Sequence, residues 1–300
     1  MANEHLGRID FETQGGLTLG HFRAMANPCV IIIEHENKIA VQQEMRLMAE
    51  EVWRIEQKYS RYLATSALSQ INNAGGKSIF IDHETYHLLQ LADVLWQESQ
   101  GKFDISSGVF RKIWTFNQQQ QMPTQSQIND SLSHVGWRKI QYTEKSITLP
   151  ADMQIDFGGI GKEYAVDKCI SLIPQSLGNT ILVNLGGDVA AKGPRGNGKP
   201  WQIGIEHKSG KGKVWKKIPL SGGAIATSGD VYKSVTIDGI RYGHIINALT
   251  GIPVIDAPST VTVAAPNCTE AGMLSTLALL QGKEGKHFLE AQDRPHWVQY

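Results

Sequence analysis

The second half of the chain, from about residue 140 onward, is a series of short β-branched and apolar runs separated by glycine-containing turns. Typical runs read SITLP, NTILVNL, WQIGIEH and STVTVAAP. Runs of this length between turn residues are typical of strands that follow one another as antiparallel neighbours. Helical patterns at about 161–174 and 269–281 interrupt the series. The chain is therefore predicted to fold in the α+β class, with helices packed on antiparallel sheets.

The first part of the chain predicts two longer helices after one or two strands in residues 19–35. Apolar residues recur every three or four positions from Val41 to Tyr59, which is the spacing of one face of a helix. A second helix is predicted over about 84–100, and Gly101 stands where a C-terminal capping glycine belongs. Residues 117–130 are polar and of low complexity, so they are predicted to form a surface loop or a short crossing helix.

Charge and cysteine content exclude several classes of protein. The 29 basic residues balance the 29 acidic ones, which argues against binding a nucleic acid or an anionic membrane through bulk charge. The 3 cysteines are too few and too far apart for a disulfide framework or a zinc site. The longest early apolar run falls far short of the roughly 20 residues of a membrane span. A cytoplasmic protein is therefore expected, whereas a trimmed export signal would make it periplasmic or membrane-anchored.

Glycine is over-represented, at 30 of 300 residues, and one glycine cluster is DFGGIGKEYAVD at 156–167. Here a strand ends in a glycine-rich turn that opens a helix, where backbone N–H groups and the Lys162 ammonium can bind a phosphate. The cluster is not a P-loop, because Glu163 stands where a Ser or Thr would hold magnesium. A plain strand–turn–helix junction is the alternative interpretation.

Three further clusters lie downstream. NLGGD at 184–188 is typical of a tight turn after a strand. RYGHIIN places His244 on a predicted strand, and histidine is the side chain best suited to proton transfer near neutral pH, although a lone histidine is more often structural. In EAGMLST, Ser275 and Thr276 offer oxygens suited to a hard cation. A purely structural helix is the alternative for this last cluster.

Taken together and in this order, the clusters resemble the ApbE family, whose members are flavin transferases that move FMN from FAD onto a protein. The resemblance also includes KYSRYLATSALSQINNAGG and GKFDISSGVFRKIWTF, and it covers about residues 20–290. Residues 1–300 are accordingly predicted to form a single ApbE-like domain. The resemblance implies an antiparallel-sheet fold of the T-fold type, with a FAD site and an adjacent Mg²⁺.

Position by position, the resemblance implies three groups of site residues. His244 matches the family histidine proposed to take the proton from the acceptor hydroxyl. The metal would be bound by the backbone carbonyl of Gly159 and by the side chains of Ser275 and Thr276. FAD contacts are expected at the following residues: Met25, Tyr62, Lys102, Phe103, Asp104, Asp156, Lys162 and Ile246.

The chain departs from the family pattern at three places. Ala26-Asn27 stands where the family usually has Gly-Thr, and Asn247-Ala248 stands where it usually has Asp-Pro. The third departure is Gly272, which replaces the usual metal-binding aspartate. Because hard cations need anionic oxygen ligands, this loss is expected to lower the affinity for Mg²⁺.

Glu163 offers a compensation, since the family commonly has glycine at this position, four residues after Gly159. We hypothesise that Glu163 supplies the carboxylate that Gly272 lacks. The alternative is that Glu163 points to solvent at a helix N-terminus, where acidic side chains are favoured. Glu270 is a weaker candidate for the same role.

The resemblance implies a Mg²⁺-dependent enzyme that transfers FMN from FAD to a Thr or Ser hydroxyl of an acceptor protein and releases AMP. Phosphoryl chemistry of this kind depends on positioning and charge neutralisation. A FAD pyrophosphatase and a non-catalytic FAD-binding protein are the alternatives. The acceptor would be a subunit of a redox membrane complex or a flavoprotein reductase. Neither a nucleic-acid partner nor a membrane span is expected.

Overall fold

The computed structural model describes residues 7–116, 121–210 and 212–300. The helices are α1 (Lys38–Lys58), α2 (Ala67–Asn72), α3 (His83–Glu98), α4 (Gln125–Ser133), α5 (Gly161–Leu172), α6 (Cys268–Leu280) and α7 (Gly285–Glu290). The strands are β1 (Asp10–Gln14), β2 (Leu17–Ala24), β3 (Asn27–Glu34), β4 (Ser78–Phe80), β5 (Gln141–Tyr142), β6 (Ser146–Thr148), β7 (Ile181–Leu185), β8 (Asp188–Lys192), β9 (Trp201–Glu206), β10 (Val214–Leu220), β11 (Gly223–Gly229), β12 (Ser234–Ile237), β13 (Ile240–Gly243), β14 (Ile246–Asn247), β15 (Ile252–Pro253), β16 (Thr260–Ala265) and β17 (His296–Gln299).

The main sheet contains eight strands in the order β1-β2-β3-β7-β8-β11-β16-β17, within the described residues. Every neighbouring pair is antiparallel. The β3–β7 pair joins distant parts of the chain, with Val30 opposite Asn184. The predicted α+β class with antiparallel sheets is confirmed, whereas the single domain over residues 1–300 stays a prediction.

The two faces of this sheet carry different partners because side chains alternate along each strand. Ile31 and Ile33 of β3 are fully buried in the core that also contains residues of α1, α5 and α6. On the opposite face, Leu182 of β7 packs with Trp201 and Ile205 of the β9–β10 hairpin. The sheet is thus covered on both faces, and the helices that matter for the site lie together on the first.

The predicted helices are present with shifted ends. The periodic stretch that starts at Val41 begins three residues earlier, at Lys38, because the Asn37 side chain accepts a hydrogen bond from Ala40 N–H at 3.1 Å. Gly101 follows α3 with a φ of +83° and donates to Trp96 O at 2.8 Å, as expected of a capping glycine.

The polar segment predicted as a loop or short helix contains α4, which Thr124 opens with a capping box. Residues 117–120 of that segment lie outside the described part of the chain. The short helix α2 was not predicted. None of the helices in the described ranges is both long and apolar enough to cross a membrane.

Candidate functional site

A cleft of about 1070 Å³ brings the sequence clusters together. Its walls come from the end of α1, the turn that opens α5, the β7–β8 turn, β9, β11 and the segment between β13 and β14. Eight of the predicted site residues line it: Met25, Tyr62, Asp156, Gly159, Lys162, Glu163, His244 and Thr276. All four clusters thus contribute to one concave surface.

The turn that opens α5 is held by its own backbone and by Phe103. Asp156 Oδ1 accepts a hydrogen bond from Gly158 N–H at 2.9 Å. Gly159 has no room for a side chain, because a Cβ there would lie 2.9 Å from the Phe103 ring. The Phe103 ring therefore packs directly against this turn. The N-terminus of α5 lies at the cleft.

Lys162 and Asp188 form an ion pair, with 2.6 Å between Nζ and Oδ2, in which Asp188 is buried and Lys162 is half-buried. Asp188 Oδ1 also accepts from Thr227 N–H at 3.2 Å. Burial disfavours the Lys162 charge, but the Asp188 carboxylate outweighs that effect and raises the pKa of Lys162. Burial also raises the pKa of Asp188. The ion pair ties the start of α5 to β8.

Asp188 is a site residue that the sequence analysis missed. The expected tight turn is confirmed, with φ of +63° at Gly186 and +102° at Gly187. The acidic residue directly after two glycines was the available signal, but its ion pair with Lys162 depends on how β8 lies against α5. That arrangement could not be deduced from the local pattern.

Glu163 points into the protein and not to solvent, so the solvent interpretation is wrong. Its side chain is buried, and Oε2 has no hydrogen-bond partner among the described residues. Burial, and secondly the neighbouring Asp188 carboxylate, raise the pKa of Glu163 well above the usual range of a glutamate. A buried carboxyl with a free oxygen is costly unless a cation or a proton satisfies it.

Three hydroxyls form a cluster where β11 meets α6. The Ser228 hydroxyl lies 2.7 Å from Ser275 Oγ and 3.1 Å from Thr276 Oγ1. Ser275 also donates to the backbone carbonyl of Gly272 at 2.9 Å. Ser228 was not predicted as a metal ligand, yet it is the residue that connects the two predicted ones.

His244 follows directly after β13, so its predicted position on a strand is wrong by one residue. Its backbone N–H donates to Lys233 O at 3.1 Å, while the ring Nδ1 is buried without a partner in the described structure. Phe116 packs edge-on against the ring at 6.4 Å between centroids. Burial, and then the charge of Lys233, lower the pKa of His244 to about 4. The imidazole is therefore neutral near pH 7 and can accept a proton.

Arg61 forms the rim of the cleft together with two predicted residues. Its guanidinium pairs with the Asp156 carboxylate and donates to Tyr62 Oη at 2.9 Å. Tyr62 is 77% exposed, and the Arg61 guanidinium carbon lies 5.0 Å from the centroid of its ring. This rim offers an aromatic face and a cation to a planar or anionic ligand.

The remaining predicted residues lie outside the set that lines the cleft. Asp104 is buried and caps the 3-10 helix Ile105–Lys112, since its carboxylate accepts from Ser106 N–H at 2.8 Å and from Trp137 N–H at 2.7 Å. Lys102 donates to Gln281 Oε1 at 2.6 Å. Ile246 pairs with Pro253. For all eight residues assigned to FAD, including Lys102, Phe103, Asp104 and Ile246, a FAD contact stays a prediction.

A hard cation is the metal that fits the donor atoms of this cleft. Among the described residues, no three or more His, Cys, Asp and Glu side chains form a group that could hold a metal ion by themselves. The cleft is lined by the carboxyl of Glu163 and the hydroxyls of Ser228 and Thr276, while the Asp188 carboxyl pairs with Lys162. Mg²⁺ binds in this way through one or two carboxylates and leaves its other positions to water and phosphates.

Comparison with known proteins places this site in a family. The sequence profile of the ApbE family matches residues 25–297. The chain belongs to the ApbE family.

Similar proteins carry the name FAD:protein FMN transferase. The protein of that name from Treponema pallidum is 28% identical over 264 residues, which cover 80% of this chain and 73% of the relative. The one from Haemophilus influenzae is 30% identical over 240 residues, with 76% of this chain and 69% of the relative covered.

Solved structures agree with the fold. The ApbE protein of Thermotoga maritima matches with a TM-score of 0.83 and 26% identity, covering 97% of this chain and 94% of its own. The flavin transferase ApbE of Vibrio cholerae matches with a TM-score of 0.81 and 25% identity, covering 96% and 94%. The resemblance stated from the sequence motifs is therefore confirmed.

Proposed function

We propose that this protein is a FAD:protein FMN transferase that modifies a Thr or Ser hydroxyl of an acceptor protein. The observation that carries the proposal is the convergence in one cleft of a neutral histidine, an ion-paired lysine and the glycine-rich turn at the start of α5. The names of its relatives support the activity.

The reaction breaks the phosphoanhydride bond of FAD and forms a phosphate ester bond to the acceptor. The acceptor oxygen forms a bond to the FMN-side phosphorus of FAD, and the bond from that phosphorus to the bridging oxygen breaks. The bridging oxygen and its electron pair leave with AMP. His244 takes the proton of the acceptor hydroxyl. The low pKa of His244 keeps its imidazole in the neutral form, which can accept this proton.

Pyrophosphate binding is assigned to the opening turn of α5. The turn places backbone amides at the N-terminus of a helix, which is a favourable position for a phosphate. The Lys162 ammonium adds a positive charge that Asp188 holds in place at 2.6 Å. Met25, Tyr62 and Asp156 line the same cleft and are assigned to contacts with the rest of FAD.

Mg²⁺ is assigned to the Glu163 carboxylate, the Gly159 carbonyl and the hydroxyls of Ser275 and Thr276. The unpartnered Oε2 of Glu163 and the nearby hydroxyl cluster fit such an ion. When bound, the ion would neutralise charge on the phosphates. Ser275 is fully buried and lies 2.7 Å from the hydroxyl of Ser228, which lines the cleft.

The test is an incubation with FAD, Mg²⁺ and an acceptor that carries a flavinylation motif, followed by a gel scanned for flavin fluorescence. A fluorescent acceptor band is the expected result. Free FMN and AMP without a labelled acceptor would instead identify a FAD pyrophosphatase. Unchanged FAD bound to the protein would identify a non-catalytic binding protein. Candidate acceptors are subunits of redox membrane complexes and flavoprotein reductases.

His244→Ala tests the proposed base. The variant is expected to lose transfer by about a hundredfold or more, which is the usual contribution of a general base, while retaining FAD binding. His207→Ala is the matched control, because His207 also lines the cleft but interacts with Ser209 at 2.9 Å. Full transfer by His244→Ala would remove His244 as the base.

A further inference from the structure

We infer that positions 163 and 272 form one unit, in which Glu163 on α5 brings the metal-binding carboxylate into the space that a side chain at position 272 on α6 would otherwise fill. The inference rests on the proposed function and deepens it. According to this inference, the position of Glu163 requires a glycine at 272, whereas the sequence alone shows only that the aspartate is missing.

Gly272 lies inside α6, where glycine is an unfavourable choice. Its φ is not in the left-handed region, so backbone conformation does not require glycine there. Glycine is also among the least favourable residues in a helix interior. The glycine at this position must therefore be explained by packing. Gly272 is buried, so it has neighbours that a side chain would meet.

Glu163 supplies that packing reason. A Cβ at position 272 would overlap Glu163 Cγ and lie 3.0 Å from both Cδ and Oε1. The overlap is closest at Cγ, in the middle of the Glu163 side chain, so Glu163 would have to change its rotamer to make room. The observed position of Glu163 is therefore sterically incompatible with any side chain at position 272.

The charges around this unit favour a cation. Lys162 balances Asp188 at 2.6 Å, which leaves the Glu163 carboxyl as a second buried acid. Its Oε2 finds no partner within the described residues. Carboxylate and hydroxyl oxygens in such a setting suit a divalent hard cation, and Thr276 offers a hydroxyl one helical turn after Gly272.

Mn²⁺ binding, measured by the paramagnetic resonance of the free ion, tests the unit without FAD or acceptor. Glu163→Gln keeps the shape of the side chain and removes the charge, so it is expected to fold and to bind Mn²⁺ about tenfold or more weakly. Gly272→Asp alone is expected to lower the melting temperature of the metal-free protein because of the overlap. The double variant Glu163→Gly/Gly272→Asp is expected to recover both the melting temperature and Mn²⁺ binding.

Glu270→Gln is the matched control, since Glu270 lies on the same helix but pairs with Arg294 at 2.7 Å. It is expected to bind Mn²⁺ like the unmodified protein. Unchanged Mn²⁺ binding by Glu163→Gln, or an unchanged melting temperature of Gly272→Asp, would overturn the inference. A protein that binds Mn²⁺ through Glu163 but labels no acceptor would contradict the proposed function alone.

Discussion

The protonation states of single residues in the cleft depend on their surroundings as well as on the type of residue. His244 is neutral because it is buried near Lys233, and Lys162 is charged because Asp188 lies 2.6 Å away. The sequence analysis could name His244 and Lys162, since both stand in recognisable motifs. It could not find Asp188 or Ser228 as partners, because those contacts join residues that are far apart in the chain.

The lowered pKa of His244 predicts a pH-dependent stability. The unfolded chain binds a proton at His244 near pH 6.5, whereas the folded protein resists protonation down to about 4. The unfolded state therefore binds more protons in this interval, and stability falls as the pH falls from 6.5 towards 4.

His244→Gln is expected to remove this contribution, which amounts to about 2 kcal/mol in the free energy of unfolding between about pH 7 and about pH 5. Urea unfolding at the two pH values measures it for both proteins. His287→Gln is the control, because His287 is 83% exposed in its side chain. An equal loss of stability in His244→Gln and the unmodified protein would contradict the prediction.

Helices α5 and α6 are fastened to each other by Asp167. Its carboxylate, on α5, accepts hydrogen bonds from Cys268 N–H at 2.7 Å and from Thr269 N–H at 2.8 Å. These are free N–H groups of the first turn of α6, which need partners from outside the helix. Glu163 lies on α5 and the hydroxyls of Ser275 and Thr276 lie on α6, so we expect this contact to help fix their relative positions.

Asp167→Ala is expected to lower the free energy of unfolding by about 1–3 kcal/mol, because it leaves partly buried donors unsatisfied, and also to weaken Mn²⁺ binding. Asn267→Ala is the matched control: it removes the N-cap bond to Glu270 N–H at 2.8 Å on the same helix without touching α5. The control is expected to lose about 1 kcal/mol and to keep its Mn²⁺ affinity. Thermal unfolding and metal titration give both quantities.

Helices and strands are predicted well from the sequence where their signals are local. The apolar spacing of α1 and the turn residues between strands are local, so these elements were predicted to within a few residues. The helix α2 was missed because it has only 6 residues, too few for a clear periodicity. The order of strands in the sheet was not predicted, since it depends on which distant strands meet.

At the scale of the whole molecule, the main sheet brings distant parts of the chain to one cleft. The residues that line it range from Met25, after β2, to Thr276, on α6. The excess of glycine is partly explained by this cleft, where Gly158, Gly159, Gly186 and Gly187 lie on its surface. The family was recognised from motifs in the correct order, which a sequence can show. Their convergence in space is a property of the complete fold.

A ligand that contacts so many elements should stabilise all of them together. At a FAD concentration about 100-fold above its Kd, the free energy of unfolding is expected to rise by about 2.7 kcal/mol. Differential scanning calorimetry measures the shift, and hydrogen exchange should slow in β9, β11 and α5 alike. Riboflavin at the same concentration, which lacks both phosphates and the adenosine, is the control and is expected to give a smaller shift. Equal shifts with both ligands would argue against a pyrophosphate site at α5.

The pairing of β3 with β7 has a consequence for synthesis of the chain. Residues 181–185 that complete this pair are made about 150 residues after β3, which corresponds to about 8 to 30 s on the ribosome at ordinary elongation rates. During that interval the strand NPCVIIIE has one edge without its native neighbour, and such an apolar edge is a template for aggregation. The nascent protein is therefore most in need of chaperone protection between the emergence of β3 and that of β7.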